Sequence, residues 1–384
     1  MSEPARPAVA ARPPFLDVDF SKSPFTLAWE ITRACGLACI HCRAEAQPRR
    51  DPRELTTEEG FDLIDQVVEI GKPILVVTGG DPLMRDDVFD LLERAARRDL
   101  RVAFSPSATG RCTRTALAKA RDSGISRLHI SLDGPDAESH DRFRGVRGSF
   151  KRTMEILDDV ASLGIPLQIG TTVSRYSIDR LEEISKIVGG SGAVMWSLFF
   201  LVPTGRGQAS DMVSPAEHEQ VFNWLYDLGK AAPFDVRTTA GMHYRKTVIE
   251  RRRAEAPAGA RPGGPPARFA NVSGAGFSAD AMGMSARGVN DGDGFAFVDH
   301  LGNVCPSGFL QLPAGNIREQ SLIDIYRSSK LFTDLRDRSL LKGRCGRCEY
   351  AQVCGGSRGR AYSLTGDYLE SDPACAYEPP VRSA

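Results

Sequence analysis

Three cysteines crowd into one short stretch of the chain, ITRACGLACIHCRAE (31–45), at positions Cys35, Cys39 and Cys42. Cysteine thiolates are the usual protein ligands of iron–sulfur clusters, and short spacings let one loop surround one face of a cubane. Three ligands on a four-iron cluster leave one iron without a protein ligand, and chemistry can occur at that open iron. The alternative is a zinc site. Structural zinc takes four ligands, and His41 could be the fourth, although its ring is constrained between Cys39 and Cys42.

The composition indicates that the cysteines have a chemical role. Lys plus Arg equals Asp plus Glu at 49 each, so the net charge does not attract nucleic acid or an anionic membrane. No run approaches the ~20 apolar residues of a membrane span, and the N-terminus lacks the apolar core of a signal peptide. We therefore expect a cytoplasmic protein, where disulfides are disfavoured and nine cysteines point to metal binding or catalysis. Only Cys112 stands apart, and we expect no role for it.

Alternating β-strands and helices are expected to position the cysteines. Between residues 25 and 235, short β-rich runs alternate with amphipathic segments of helical spacing. One helix is expected to begin after Thr56, and another spans 149–164 with Ser149 as N-cap and Gly164 as C-cap. Near-continuous apolar strands predict a parallel sheet covered by helices, an α/β fold. The six expected strands form a partial (β/α)6 TIM-like barrel and lie at 25–32, 73–79, 100–106, 127–134, 166–173 and 195–202.

Polar or glycine-rich clusters follow all six expected strands. In barrels of this kind the active site lies at the carboxyl ends of the strands, so the clusters predict one site at that rim. Any single cluster could instead be simple turn chemistry. The clusters lie at 35–42, 78–82, 105–110, 131–134, 171–174 and 203–207.

Composition divides the chain into four parts. Residues 1–23 form an N-terminal tail, and residues 24–240 form the partial barrel. Residues 241–290 are a linker or insert that contains the Pro/Gly-rich run EAPAGARPGGPPAR (255–268). Residues 291–384 contain too few apolar residues for a core of their own, so we expect a small α+β module built around a metal.

The motifs resemble those of the radical S-adenosylmethionine (SAM) superfamily. Its members carry C-x₃-C-x₂-C after the first strand, a GGE-P motif similar to TGGDP (78–82) after the second, and, in the SPASM/twitch branch, a motif similar to SLDGPDAESHDRFRG (131–145) at the fourth. The resemblance implies that Cys35, Cys39 and Cys42 hold a 4Fe–4S cluster whose open iron binds SAM. One electron then cleaves SAM to methionine and a 5′-deoxyadenosyl radical, which abstracts hydrogen from the substrate.

The resemblance also implies a set of SAM contacts. Asp81 stands where the glycine-rich motif more commonly has glutamate. Its carboxylate can still accept a hydrogen bond, although its side chain is shorter. Serine and threonine at strand ends are also common turn residues, so that interpretation stays open for them. The implied contacts are Gly79, Gly80 and Asp81 with the amino group, Ser131 and Asp133 with the ribose, Thr171 or Thr172 with the nucleoside, and Arg144 with the carboxylate through a charge-assisted pair.

A second cysteine group, CGRCEYAQVC (345–354) with a later cysteine, resembles the SPASM/twitch pattern that ligates an auxiliary cluster. Four thiolates saturate such a cluster, so its expected duty is electron transfer or structure. A zinc knuckle has a similar spacing and is the alternative. The ligands implied are Cys345, Cys348, Cys354 and Cys375.

The chain departs from the full SPASM pattern, which has seven cysteines and two auxiliary clusters. Gln320 is not a cysteine, and Ser357 and Arg358 stand where a further cysteine is expected. We therefore predict one auxiliary 4Fe–4S cluster. Cys305 is left over, and we expect it to be buried in a hairpin.

The substrate is the least readable feature. The tail LKGRCGRCEYAQVCGGSRGRAYSLTGDYLESDPAC resembles that of radical SAM enzymes that act on tetrapyrrole side chains in heme pathways. Related enzymes modify ribosomal or cofactor-precursor peptides, often through a fused leader-binding domain, for which the residues before the first strand are too few. The electron donor is expected to be a flavodoxin or ferredoxin. A non-catalytic iron–sulfur or zinc protein is the alternative from another class.

Overall fold

The computed structural model describes residues 18–256 and 288–380. Its strands follow the expected alternation with helices through the first part of the chain. They are β1 Thr26–Glu30, β2 Ile74–Thr78, β3 Val102–Phe104, β4 Arg127–Ser131, β5 Leu167–Val173, β6 Met195–Phe200, β7 Asp235–Thr239, β8 Asn290–Asp291, β9 Gly294–Val298, β10 Asn303–Cys305 and β11 Gly315–Asn316.

The strands form one sheet in the order β11-β10-β9-β1-β2-β3-β4-β5-β6-β7, with β8 beside β9. Pairing is parallel from β9 through β1 to β7, whereas β10 is antiparallel to both β9 and β11. Within the described residues, β7 and β11 do not pair with each other, so the barrel is open. The partial α/β barrel predicted from the sequence is confirmed.

Strand β7 continues the parallel sheet beyond the six strands that the sequence predicted. Strand β7 reads DVRTT, in which Val236 is the single apolar residue, so it lacks the apolar run of the other strands. Its register on β6 pairs Met195 with Asp235 and Phe199 with Thr239. Strand β9 also pairs with β1, which joins the C-terminal segment to the same sheet.

Helices cover the outside of the sheet. One helix, Tyr244–Glu255, lies inside the segment expected to be a linker, while residues 257–287 of that segment lie outside the described residues. The domain limits stay a prediction. The helices are α1 Thr57–Ile70, α2 Val88–Arg97, α3 Arg114–Asp122, α4 Ala137–Arg144, α5 Ser149–Leu163, α6 Leu181–Gly190, α7 Pro215–Ala231, α8 Tyr244–Glu255, α9 Leu322–Ser328, α10 Lys330–Arg336, α11 Gly343–Arg347 and α12 Arg358–Thr365.

Local sequence explains the helix ends. Thr56 and Glu59 form a reciprocal capping box at the start of α1, as expected from the acidic first turn. Gly164 ends α5 in the left-handed region with φ 65°, as expected. The prediction that Ser149 caps α5 is wrong: Gly148, with φ 87°, is the N-cap, and the Ser149 hydroxyl donates to Asp141 at 2.9 Å.

Alternate strand residues face the helices and the barrel interior. In β1, Leu27 and Trp29 are buried in the main core against the helices, and a Cβ on Gly60 of α1 would lie 2.8 Å from the Trp29 ring. The opposite face of β4 and β5 presents smaller or polar side chains to a cavity. No helix in the described part of the chain is long and apolar enough to span a bilayer.

Candidate functional site

The loop after β1 gathers the three N-terminal cysteines. Its base is closed by backbone hydrogen bonds from Cys35 to Gln47 (2.8 Å) and from Gln47 to Arg33 (2.9 Å). Cys35 and Cys39 are buried and Cys42 is half-buried. All three line one cavity at the carboxyl ends of the barrel strands, together with residues in or just after the ends of β2 to β6. The structure therefore brings the three proposed ligands to one place.

Each of the three sulfurs accepts an N–H group. Such contacts favour the thiolate, which is the form that binds iron. Burial raises the pKa of Cys35, so ligation at this position must displace a proton. The contacts are Leu37 N to Cys35 Sγ (3.4 Å), Ala46 N to Cys42 Sγ (3.5 Å) and Arg144 Nη1 to Cys39 Sγ (3.7 Å).

The two glycines of the TGGDP motif press against the cysteine loop. A Cβ on Gly79 would lie 2.6 Å from the Thr32 carbonyl oxygen, and one on Gly80 would lie 2.6 Å from that of Ala34. The Gly80 amide donates to the Thr32 carbonyl at 2.7 Å across the same contact. Both glycines line the cavity. Their missing side chains therefore let the two loops meet.

Asp81 braces two loops behind the cavity and is not among the described residues that line it. Its carboxylate accepts hydrogen bonds from the amides of Leu83 (3.2 Å) and Ser107 (3.3 Å) and from the hydroxyl of Thr109 (2.7 Å). Burial raises the pKa of Asp81. The side chain proposed to accept from the SAM amino group is thus already occupied by the loops after β2 and β3.

Asp133 and Arg144 form an ion pair beside the cysteine loop. Arg144 Nη2 lies 2.7 Å from Asp133 Oδ2, and the Thr172 amide donates to Asp133 Oδ1 at 2.6 Å. Burial opposes ionisation, but the Arg144 charge outweighs it and lowers the pKa of Asp133. Arg144 also reaches the Cys39 sulfur, so this pair links the motif after β4 to a proposed cluster ligand.

The two candidate threonines face opposite sides of β5. Thr172 lines the cavity, as does Ser131. The Thr171 hydroxyl instead donates to the Leu132 carbonyl at 2.6 Å and accepts from Trp196 Nε1 at 2.8 Å. The structure therefore brings Ser131 and Thr172 to the cavity, and it places Thr171 in the core between sheet and helices.

Sequence analysis did not single out two cavity residues, His129 and Arg206. His129 Nδ1 lies 2.9 Å from Ser105 Oγ, its buried Nε2 has no hydrogen-bond partner in the described structure, and burial lowers its pKa to about 4. Arg206 donates from Nε to the Cys39 carbonyl at 2.9 Å, and its Nη2 is likewise buried without a partner. Two features of the sequence pointed to them. His129 lies two residues before Ser131 and therefore on the same face of β4, and Arg206 belongs to the cluster 203–207 that follows the sixth strand.

Three arginines line the main cavity, and two of them are paired with buried carboxylates. The cavity has a volume of about 220 Å³, and the three arginines are Arg43, Arg144 and Arg206. No Asp or Glu is among its described lining residues. Arg43 is paired with Glu30 (2.9 Å) and Arg144 with Asp133, which leaves Arg206 with backbone carbonyl contacts. Such a lining suits ligands that carry carboxylates.

The C-terminal cysteines surround a second, smaller cavity of about 30 Å³. Burial raises the pKa of Cys354 to about 12 and that of Cys375 to about 11. Two N–H donors point to sulfur here too: the Gly356 amide to Cys354 (3.4 Å) and Arg358 Nη2 to Cys345 (3.7 Å). The cysteines that line this cavity are Cys345, Cys348, Cys354 and Cys375.

The remaining cysteines and Ser357 have structural positions. Cys305 is buried at the end of β10 against Ala28 and Phe297, as expected, and burial raises its pKa to about 12. Cys112 is buried in the main core. Ser357 caps α12 by accepting from the Arg360 amide.

The donor geometry fits clusters better than single ions. Among the described residues, no three His, Cys, Asp or Glu side chains converge closely enough to hold one metal ion, as a zinc site requires. A cubane binds each thiolate through a different iron, so its ligands surround a cavity. His41, the possible fourth zinc ligand, is instead stacked on Phe143 with ring centroids 4.0 Å apart.

Comparison with known proteins identifies two family matches. Residues 29–187 match the radical SAM superfamily, and residues 291–349 match the SPASM iron–sulfur cluster-binding domain. The chain is 41% identical to an AdoMet-dependent heme synthase of Nitratidesulfovibrio vulgaris, covering 92% of each chain. It is 39% identical to an AdoMet-dependent heme synthase of Methanosarcina barkeri, covering 94% of this chain and 99% of that one.

Solved structures share the fold. Streptococcus suis SuiB bound to S-adenosylmethionine superposes with a TM-score of 0.69 over 93% of this chain and 78% of that chain. The sequence identity is 15%, so this likeness concerns the fold alone.

Proposed function

Because the chain belongs to the radical SAM superfamily and carries a SPASM domain, we propose that it modifies the carboxylate-bearing side chains of a tetrapyrrole. Family membership makes the protein an enzyme that uses SAM and a 4Fe–4S cluster, with auxiliary iron–sulfur binding in the SPASM domain. When bound, these groups supply a 5′-deoxyadenosyl radical that removes a hydrogen atom from the substrate.

The observation that carries the substrate proposal is the charge of the main cavity. Three arginines and no carboxylate line it among the described residues. Glu30 and Asp133 pair with two of them, and the third, Arg206, has only backbone carbonyl contacts and can pair with one of the several carboxylates of a tetrapyrrole. Heme synthases that share 41% and 39% identity over nearly the whole chain support the same substrate class. We propose oxidative decarboxylation of propionate side chains, in which loss of a hydrogen atom, one electron and carbon dioxide leaves a vinyl group.

The chain's own residues have proposed roles around this chemistry. Cys35, Cys39 and Cys42 hold the SAM-binding cluster, and the glycines at 79 and 80 present backbone to the SAM amino group. Ser131 and Thr172 line the cavity and contact the nucleoside. The Asp133–Arg144 pair positions the Cys39 side of the loop.

The C-terminal cavity is proposed to hold one auxiliary 4Fe–4S cluster on its four cysteines. Its ligand set is complete, so the site passes electrons rather than cleaving SAM. The electron that leaves the substrate radical needs an acceptor, and this cluster is the proposed one. We propose a flavodoxin or ferredoxin as external donor, in the cytoplasm, where thiols stay reduced.

The test is reconstitution without oxygen. Protein with iron, sulfide, SAM and dithionite is expected to release 5′-deoxyadenosine. When an iron tetrapyrrole with propionate side chains is added, mass spectrometry should show that it has lost carbon dioxide. Cys35→Ala should abolish both products, whereas Cys345→Ala should remove roughly half of the iron and keep some uncoupled SAM cleavage.

Each alternative predicts a different result. Iron binding without SAM cleavage would favour the non-catalytic carrier. SAM cleavage with an unchanged tetrapyrrole would overturn the substrate proposal and favour the peptide substrate, which is then tested with precursor peptides by the same mass measurement.

A further inference from the structure

A buried arginine contacts the proposed auxiliary cluster site. Arg358 is 0% exposed, and its Nη2 donates to the Cys345 sulfur at 3.7 Å. We propose that Arg358 raises the reduction potential of the auxiliary cluster through this hydrogen bond and its positive charge. This inference rests on the auxiliary-cluster part of the proposed function and is independent of the substrate.

In the described structure, no carboxylate accepts a hydrogen bond from the Arg358 guanidinium. Its other donors bind the carbonyl oxygens of Gly356 (3.4 Å), Tyr368 (3.1 Å) and Glu370 (2.6 Å). Arg360, two residues along the same helix and equally buried, is instead paired with Asp372 at 3.0 Å. The chain therefore neutralises one buried guanidinium of α12 and directs the other at a cysteine ligand.

The backbone leaves room for this contact at Gly356. That residue has φ +65°, and a Cβ there would lie 2.5 Å from Arg358 Nη2 and 3.3 Å from the Cys345 sulfur. Glycine thus allows both the left-handed conformation and the approach of guanidinium to sulfur. Two carbonyls of the segment after α12 fix the guanidinium in place, so its position does not depend on a flexible side chain.

Electrostatics gives the direction of the effect. Reduction adds one negative charge to a cluster, and hydrogen bonds to its sulfurs, net charge and solvent exposure set its potential. A cation held at a ligand sulfur in a buried site stabilises the reduced form more than the oxidised form. The auxiliary cluster therefore accepts an electron more readily than the same four cysteines would without Arg358.

The test measures the potential of the auxiliary cluster alone. The Cys35→Ala, Cys39→Ala, Cys42→Ala background removes the other cluster, and dithionite titration followed by electron paramagnetic resonance gives the midpoint. Arg358→Gln is expected to lower the reduction equilibrium constant at least tenfold, which is about 59 mV for a one-electron couple. Arg358→Lys, which keeps the charge, should shift the midpoint less.

Arg347→Gln is the matched control. Arg347 lies between two of the same ligands, but its side chain is 51% exposed and faces Glu378, so solvent screens its charge and no shift is expected. An Arg358→Gln midpoint equal to that of Arg347→Gln would overturn the proposal. A background protein that binds no cluster would overturn the auxiliary site itself, whatever the result with SAM at the other site.

A second measurement avoids dependence on how the variants fold. In the background protein grown with arginine carrying the heavy nitrogen isotope, pulsed resonance of the reduced cluster should show coupling to a guanidinium nitrogen. Absence of that coupling in a fully loaded sample would contradict the N–H to sulfur contact.

Discussion

Glu30 and Arg43 form an ion pair of 2.9 Å that fastens the cysteine loop to the end of β1. Glu30 is fully buried and also binds Arg33 at 3.0 Å, on the other side of the first cysteine. Burial alone would raise the pKa of Glu30, but Arg43, His300 and Arg33 outweigh it and lower the pKa to about 2. One carboxylate therefore holds the loop at two points.

Replacing Glu30 by Gln is expected to destabilise the protein. The change leaves two arginines without their buried partner and should lower the free energy of unfolding by about 3 kcal/mol. Because the folded-state pKa is depressed, the wild-type contribution is fully present above the usual pKa of Glu and is lost as pH falls toward 2. Denaturant unfolding of the cluster-free protein measures this free energy of unfolding and its dependence on pH. Glu93→Gln removes an exposed pair with Arg97 and should cost under ~1 kcal/mol; equal losses would refute the argument.

Gly80→Ala is expected to remove the SAM-binding cluster selectively. The added Cβ would lie 2.6 Å and 2.7 Å from the carbonyl oxygens of Ala34 and Arg33, which are backbone atoms that cannot rotate away. The cysteine loop must then shift, and iron analysis should show loss of roughly half of the bound iron. Gly110→Ala is the control, because nothing lies within 4 Å of its Cβ position. Full iron content in Gly80→Ala would show that cluster binding does not depend on the close approach of Gly80 to the cysteine loop.

Local patterns explain why much of the site was predictable. The cysteine loop, the TGGDP glycines and the strand-end motif each lie in one short stretch, and parallel strands bring their carboxyl ends to one edge. Cys35, Gly80 and Ser131 accordingly line a single cavity. The capping box at Thr56 and the left-handed Gly164 are equally local.

Long-range relationships were not predictable from one sequence. The pairing of Glu30 with His300 at 3.5 Å and of β1 with β9 depends on segments separated by most of the chain. Successive side chains of a strand lie on opposite faces of the sheet, so only one of Thr171 and Thr172 could face the cavity. Both faces of a parallel strand are buried, however, and the sequence could not tell which threonine faced the cavity.

The two threonines provide a matched pair of variants. Thr171→Val should leave the Leu132 carbonyl and Trp196 Nε1 without partners and lower the free energy of unfolding by about 1–3 kcal/mol, with SAM affinity unchanged. Thr172→Val should keep stability within about 0.5 kcal/mol and weaken SAM binding several-fold. Equilibrium dialysis of SAM against the loaded enzyme, beside thermal unfolding, measures both. The reverse pattern would place Thr171 in the cavity.

Acid should destabilise the fold well above the range where carboxylates titrate, because buried histidines stay neutral in the folded state. His218 packs on Phe200 with ring centroids 4.9 Å apart, and burial, helped by the Arg360 charge, lowers its pKa from 6.5 to about 3. As pH falls below 6.5 the unfolded chain gains a proton that the folded chain does not, so stability decreases. Between pH 7.5 and 5.5 this one group should account for about 1.4 kcal/mol. Urea unfolding of the cluster-free protein at both values should therefore show a smaller pH effect in His218→Gln than in wild type, and an identical pH effect would exclude a neutral buried His218.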